Sequence, residues 1–188
     1  AGASVTLTAA QANGLTITGA GQVNITAGEL TPGADLSGIM TNAGDTGTVE
    51  LAVDTSDGAD VDALPDNITL GNIGVAHVTV SGDGTVQTTD GLAGFDRDGD
   101  AGTPNDRASF TVGAAATANL TAAQANGLLV DGGGTTAVAD LGATLTADLS
   151  TITTTTVTAA VTSSGTFTGD LGTAVVTVST GVDIQAAG

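Results

Sequence analysis

The sequence predicts an all-β fold of duplicated, strand-rich modules, and two observations support this. Apolar residues alternate with Thr and other small residues in short segments bounded by Gly, Asn and Asp, a pattern typical of half-buried strands. The nine residues LTAAQANGL at 7–15 recur unchanged at 120–128, a spacing of 113. A β-solenoid is favoured over a pair of β-sandwiches because the chain has no Trp or Tyr and three Phe, whereas sandwich cores usually contain a large aromatic residue.

The alternation predicts strands wherever apolar residues stand two positions apart, since β-branched residues favour pleated segments. The predicted strands are centred on Val5/Leu7, Leu15/Ile17, Val23/Ile25, Val49/Leu51/Val53, Val78/Val80, Val157/Ala159/Val161 and Val176/Val178. Gly-x-Gly motifs supply the positive φ that tight strand connections need. Short helices of one or two turns are expected at 8–14 and 121–127, where Thr caps the start and Asn-Gly ends the segment.

The duplication extends well beyond the nine identical residues. Its spacing shortens to 108 where TVELAV (48–53) matches TVTAAV (156–161), and to 98 where NIGVAHVTVS (72–81) matches DLGTAVVTVS (170–179). We therefore divide the chain into a first β-rich repeat at 1–87, an acidic insert or linker at 88–116, and a second, shorter β-rich repeat at 117–188.

Composition excludes several functions. The chain has no Cys, which excludes disulfides, thiol nucleophiles and Cys-based zinc sites. Its 20 acidic residues against 2 basic ones give a net charge of -18, so we expect no binding to nucleic acid or to anionic membranes. No run of about 18 apolar residues occurs, so no membrane insertion is expected.

The sharpest local feature is an alternating acidic segment in the insert. Calcium takes six to eight oxygen ligands, and closely spaced carboxylates repel each other unless a cation lies among them. The segment therefore predicts a calcium site, with calcium as the expected cofactor. Its candidate ligands are Asp96, Asp98 and Asp100, with Asn105 or Asp106 closing the shell. A solvated acidic connector is the alternative, because the spacing departs from that of an EF-hand.

Other candidate chemistry is weaker, and no enzymatic activity is expected. A second acidic cluster, more typical of a polar loop tip than of a calcium site, comprises Asp54, Asp57, Asp60, Asp62 and Asp66. The triplet Asp45-Thr46-Gly47 matches that of aspartic proteases, but those enzymes pair two such triplets and this chain contains one. His77 aligns with Val175 in the second repeat, which indicates packing rather than catalysis.

The segments LTAAQANGLTITGAGQVNIT and LTAAQANGLLVDGGGTTAV resemble modules of repetitive Thr/Gly/Asp-rich microbial surface proteins, which include adhesins, S-layer-like proteins and extracellular filament proteins. The resemblance implies secretion, calcium stabilisation and a scaffold role without catalytic residues. We therefore expect an extracellular or cell-surface structural protein that self-assembles through strand edges into a filament, sheath or surface layer. The alternative is an adhesin-type binding repeat of a larger surface protein, with a glycan or surface ligand.

Overall fold

The all-β prediction is confirmed by a computed structural model, in which strands predominate and the two α-helices are short. It describes residues 3–18, 21–27, 34–36, 38–39, 49–54, 67–70, 77–88, 110–143 and 145–186. The strands are β1 (Ser4–Thr8), β2 (Gln22–Ala27), β3 (Val49–Asp54), β4 (Asn67–Leu70), β5 (His77–Ser81), β6 (Thr85–Thr88), β7 (Phe110–Val112), β8 (Thr117–Thr121), β9 (Val130–Asp131), β10 (Thr135–Ala139), β11 (Thr156–Val161), β12 (Gly165–Phe167), β13 (Val175–Val178) and β14 (Ile184–Ala186). The helices are α1 (Ala9–Ala12), α2 (Ala122–Ala125) and a 3-10 turn at Leu141–Ala143.

These strands form three sheets, and every described strand pair is parallel. The first sheet has the order β1-β2-β3-β5-β7-β9, the second β4-β6-β8-β10-β11-β13, and the third consists of β12 and β14. From β5 to β10, successive strands lie alternately in the first and the second sheet. An immunoglobulin-type sandwich, by contrast, is built from antiparallel sheets.

In the described residues, the core is one cluster of small and medium apolar side chains. All but two of its members are Val, Leu, Ile or Ala, and about half of these come from alternating positions of the strands. Phe110 is the largest fully buried side chain among the described residues. The cluster includes Ile25 of the first repeat, Val112 of the insert and Leu149 of the second repeat. The first sheet likewise contains strands from all three predicted segments. The boundaries at 87/88 and 116/117 themselves stay a prediction.

The two helices begin and end as the sequence predicts. Thr8 caps α1 and Thr121 caps α2, and each accepts a hydrogen bond from the backbone N–H of the Gln three residues later. That Gln side chain returns a bond to the backbone of the capping Thr, which completes a capping box in both repeats. Gly14 and Gly127 follow the helices with positive φ, as the Asn-Gly endings require.

Glycine is needed where the chain turns between β9 and β10. Gly132 has φ +111°, and a Cβ added there would overlap the carbonyl oxygen of Val112 on the neighbouring strand. Gly82, between β5 and β6, also has positive φ, at 88°. The prediction that Gly-x-Gly motifs provide positive φ is therefore confirmed at these two turns.

The strand predicted at Leu15/Ile17 is wrong. Ile17 forms an isolated parallel bridge with Ile39, while Leu15 belongs to the turn after α1, where its N–H donates to the carbonyl of Ala12 at 3.0 Å. The apolar pair is too close to the end of α1 for both residues to join a ladder. The other predicted strands correspond to β1, β2, β3, β5, β11 and β13.

Candidate functional site

The two repeats use the same strand pairings in different sheets. In the first repeat, β1, β2, β3 and β5 are neighbours in the first sheet, and their sequence counterparts β8, β10, β11 and β13 are neighbours in the second. The register is also kept: Glu50 pairs with His77, and their counterparts Thr158 and Val175 pair with each other. The alignment of the repeats in sequence is therefore also a correspondence between their ladders.

The second sheet joins the two repeats, because β4 and β6 of the first repeat lead into β8 of the second. The counterparts of β4 and β6 in the second repeat are β12 and β14, which make up the third sheet. At the spacing of 98, Val86-Gln87-Thr88 aligns with Ile184-Gln185-Ala186. The third sheet therefore corresponds to the first two strands of the second sheet, and in the described part of the chain no strand follows β14.

At the junction between the repeats, β8 pairs with β6 in parallel. Val86 pairs with Ala118, and both side chains are buried in the core. The next pair, Gln87 and Asn119, faces outward and is exposed. The N–H of Thr117 donates to the carbonyl of Gly84 at 2.9 Å, which extends the backbone contact beyond the ladder.

Gln124 of α2 forms hydrogen bonds on both sides of the junction. Its side chain is 7% exposed, and its Nε2 donates to the carbonyl of Thr88 on β6 at 3.0 Å. Its Oε1 meanwhile accepts from the N–H of Thr121 at 2.8 Å, as part of the capping box. One amide group thus caps its own helix and bonds to the last residue of the preceding repeat's strand, a role for which an amide with both donor and acceptor is suited.

The corresponding surface of the first repeat is open. Gln11 makes the same capping-box contact with Thr8, at 2.9 Å from the Thr8 N–H, but its side chain is exposed. Val5 on β1 is 39% exposed, whereas its counterpart Ala118 is 0% exposed beneath β6. β1 is the terminal strand of the first sheet. The difference in exposure between equivalent positions therefore marks an edge that no described strand covers.

In the second sheet, the edge formed by β13 is likewise covered by no described strand. β13 is its terminal strand, with Val175 66% exposed and Val178 46% exposed. Val178 aligns with Val80 of β5, which is buried because β7 pairs with β5 along its other edge. Val175 aligns with His77 and lies on the outer face of the sheet with Thr177, so its exposure does not depend on the uncovered edge. Among the described residues, Val5 of β1 and Val178 of β13 are thus exposed apolar residues whose counterparts Ala118 and Val80 are buried.

A hydrogen bond links each capped helix to the chain that runs beside it. Asn126 accepts from the N–H of Asp148 at 2.8 Å, and in the first repeat Asn13 accepts from the N–H of Asp35 at 2.8 Å. Asp148 in turn accepts from the Oγ and the N–H of Ser150 at 2.6 and 2.9 Å. These two bonds, the Oγ bond foremost, lower the pKa of the Asp148 carboxyl below its ordinary value.

A groove of about 430 Å³ runs across the outer face of the second sheet. Its outward-facing lining includes the amides of Gln87 and Asn119 and the hydroxyls of Thr121, Thr158 and Thr177. These groups can donate and accept hydrogen bonds, but in the described residues no cluster of three or more His, Cys, Asp or Glu accompanies them. The groove is therefore uncharged, with its amide and hydroxyl groups set among Ala, Val and Leu residues.

No match was found. Comparison with protein-family models, with curated proteins and with solved structures gave none, so the resemblance to microbial surface modules remains an expectation. In the part of the chain that the structure describes, no helix has the length and apolar character needed to span a membrane.

The acidic candidate sites lie largely outside the described residues. This applies to all five predicted calcium ligands, Asp96, Asp98, Asp100, Asn105 and Asp106, and to the triplet Asp45-Thr46-Gly47. It applies also to the second acidic cluster, apart from the backbone of Asp54 in β3. His77 lies at the start of β5, and its side chain is not described. The calcium site thus stays a prediction.

Sequence reasoning missed the hydrogen bond by which Gln124 contacts β6 of the preceding repeat. The sequence did show that Gln124 has a counterpart, because Gln11 and Gln124 occupy the same place in the identical segments at 7–15 and 120–128. The sequence does not show the surroundings of each side chain: Gln124 is buried against β6, and Gln11 faces solvent.

Proposed function

We propose that this chain is a secreted structural subunit that assembles with copies of itself into an extracellular filament, sheath or surface layer. The observation that carries the proposal is that no other described strand covers the edges of β1, β13 and β14, and that β1 and β13 have exposed apolar residues. The edge of a sheet presents unpaired N–H and C=O groups that pair readily with another chain. Natural monomers usually protect such edges with charge or Pro, yet β1 and β13 contain neither.

We infer that the parallel sheets are two faces of a β-solenoid. In such a fold each turn of the chain adds one strand to each face, so a strand pairs with the strand one turn earlier. The alternation of β5 to β10 between two sheets supports this, as do the register partners 18 residues apart between β8 and β10 and 32 apart between β6 and β8. Solenoids without polar end caps tend to associate through their ends.

Calcium has a physical role in this assembly. Subunits that each carry a net charge of -18 repel one another, and the repulsion is strong at low ionic strength. We propose that the insert binds calcium through Asp96, Asp98 and Asp100, with Asn105 or Asp106. Bound calcium lowers the net negative charge and so favours contact between subunits.

The assembly is tested by sedimentation velocity and negative-stain imaging of the purified chain in calcium and in chelator, with magnesium at matched ionic strength as the control. We expect large particles in calcium, fewer in magnesium, and dispersal on chelation. A strictly monomeric chain in all three conditions contradicts the proposal.

The calcium site is tested separately with Asp98→Asn and Asp100→Asn combined. The matched control combines Asp60→Asn and Asp62→Asn in the other acidic cluster, which changes the net charge by the same amount. We expect the first pair to raise the calcium concentration needed for assembly and the control pair to leave it nearly unchanged. Equal effects from both pairs would indicate general charge screening instead of a site.

A second function, that of a binding repeat, is favoured by the groove on the second sheet. Its amides and hydroxyls suit the hydroxyl groups of a carbohydrate, although none of the described lining residues is aromatic and able to stack on a sugar ring. Titration of Asn119→Ala and the wild-type chain with oligosaccharides, followed by calorimetry, tests this. Binding that the substitution abolishes would favour the binding repeat, and absence of binding together with assembly favours the structural subunit.

A further inference from the structure

The chain leaves two incomplete sheets that fit one another. The second sheet consists of two strands from the first repeat, β4 and β6, followed by four from the second, β8, β10, β11 and β13. The third sheet contains the counterparts of the first two strands, β12 and β14, and no other described strand continues it. The first sheet begins with the counterparts of the other four, β1, β2, β3 and β5, and no described strand precedes them in it.

From this complementarity we propose that β14 of one subunit pairs in parallel with β1 of the next. This joint between molecules has the same arrangement as the junction that β6 and β8 form within the chain. The inference rests on the proposed self-assembly and adds to it the two strands and their register. The occupant of the open β1 edge is thus a second copy of this chain, held by an interface that already exists inside it.

The internal junction fixes the register. Val86 pairs with Ala118 and Gln87 with Asn119, so the spacings of 98 and 113 place Ile184 opposite Val5 and Gln185 opposite Thr6. The first pair faces inward at the junction, and the second faces outward, as their counterparts do. Docking would cover Val5, which is 39% exposed in the free subunit. Burial of this apolar pair favours the joint.

The same Gln contact is available at the joint. Gln124 donates from Nε2 to the carbonyl of Thr88, the last residue of β6. Its counterpart Gln11 is exposed, and the counterpart of Thr88 is Ala186 at the end of β14. In the proposed register, Gln11 Nε2 donates to the carbonyl of Ala186 of the neighbouring subunit. The capping box already fixes the Gln11 side chain through Thr8, which lowers the entropy lost when the bond forms.

The charges also permit the contact. β1 has no ionisable side chain, and in the proposed register Asp183, next to β14, lies opposite Ser4. The joint therefore brings no two carboxylates directly together, even though the whole chain is strongly acidic. The proposed joint uses the edge of β14 and leaves the edge of β13 in the second sheet uncovered. This distinguishes the proposed joint from pairing of β1 with β13.

Cysteine cross-linking tests the register without background, because the chain has no Cys. The test variant combines Thr6→Cys with Gln185→Cys, since neighbouring strands lie about 4.8 Å apart, within the Cα separation that a disulfide spans. The internal control is Gln87→Cys with Asn119→Cys, the equivalent pair of the existing junction. The competing joint is tested by Thr6→Cys with Thr177→Cys on β13.

After mild oxidation of assembled protein, we expect a covalent ladder on non-reducing gels from the test variant. The internal control should lose its free thiols yet stay at the size of one chain, and the β13 variant should give no ladder. Particles that form while the test variant gives no ladder, or a ladder from the β13 variant, overturn this inference and leave self-assembly standing. Wild-type chain that stays monomeric in calcium overturns both.

A second measurement does not depend on cysteines. Gln11→Glu keeps the capping-box acceptor but removes the Nε2 donor. We expect it to raise the critical concentration for assembly about 5- to 10-fold, the effect of losing one hydrogen bond, with the thermal midpoint of the free subunit unchanged. An unchanged critical concentration contradicts the proposed contact to Ala186.

Discussion

The substitution Gln124→Glu tests whether the junction between the repeats depends on one amide group. Glu keeps the oxygen that accepts from the Thr121 N–H, so the capping box survives. It removes the Nε2 donor that bonds to the carbonyl of Thr88 at 3.0 Å, and it brings a carboxylate towards that carbonyl in a buried position. Gln11→Glu is the matched control, because the surrounding nine residues are identical and the Gln11 side chain is exposed.

The expected decrease in the free energy of unfolding follows from these contacts. Loss of the hydrogen bond costs about 1 kcal/mol, and burial of the charged group beside a carbonyl adds about 1–3 kcal/mol. Any favourable effect of an acid in the first helical turn is shared by both variants and cancels in the comparison. We therefore expect Gln124→Glu to lower the free energy of unfolding by about 2–4 kcal/mol at pH 7, and Gln11→Glu by less than about 0.5 kcal/mol.

The assay is urea unfolding of dilute, chelated subunits followed by circular dichroism, with the transition midpoint compared at equal m-value. In thermal unfolding, each kcal/mol corresponds to about 2–4 °C for a chain of this size. Lowering the pH towards that of carboxyl protonation should narrow the gap between the variants, since a protonated Glu again offers a donor. Equal destabilisation by both substitutions would refute the role given to Gln124.

Three further predictions follow from single residues of the described core and turns. Phe110→Ala should cost about 3–5 kcal/mol in urea unfolding, because the side chain is fully buried, whereas Val175→Ala at an open edge should stay within about 0.5 kcal/mol; similar costs would contradict the exposure of β13. Gly132→Ala should cost at least about 2 kcal/mol, since it combines positive φ with overlap of a neighbouring carbonyl, and a wild-type midpoint would exclude that turn geometry. Because the Ser150 contacts lower the folded-state pKa of Asp148, its ionised form stabilises the fold above the unfolded pKa, and this contribution is lost as the pH falls below about 4. Asp148→Asn should therefore show a smaller drop in urea midpoint between pH 6 and pH 3 than the wild-type chain, and equal drops would count against it.

Local features of the fold were predictable because local physics decides them. The capping Thr8, the Gln three residues later and Gly14 together specify a short helix, and the structure has that helix at Ala9–Ala12. The alternation of Val23 with Ile25 likewise predicts β2. Each of these signals involves residues within a few positions of one another, so the sequence contains all the information needed.

Pairing between distant strands was not predictable in the same way. The spacing of 113 does not say through how many strands the chain passes between the repeats, so it does not assign β8 to the second sheet. The local alternation at Leu15/Ile17 was misleading for a related reason, since the turn bond from Leu15 to Ala12 competes with ladder formation. The contact of Gln124 with Thr88 depends on the same long-range arrangement.

The switch of sheets between the repeats also gives a reason for the duplication. One repeat places its four-strand ladder in the first sheet, and the next places the equivalent ladder in the second, so the pattern changes sheet at the junction. Under the proposed joint, the same operation occurs between subunits, and a second application returns the pattern to the first sheet. A subunit of two repeats therefore meets its neighbour in the orientation in which it began. A head-to-tail joint of this kind builds an open filament when its rotation does not close a ring, and that filament is the assembly we propose.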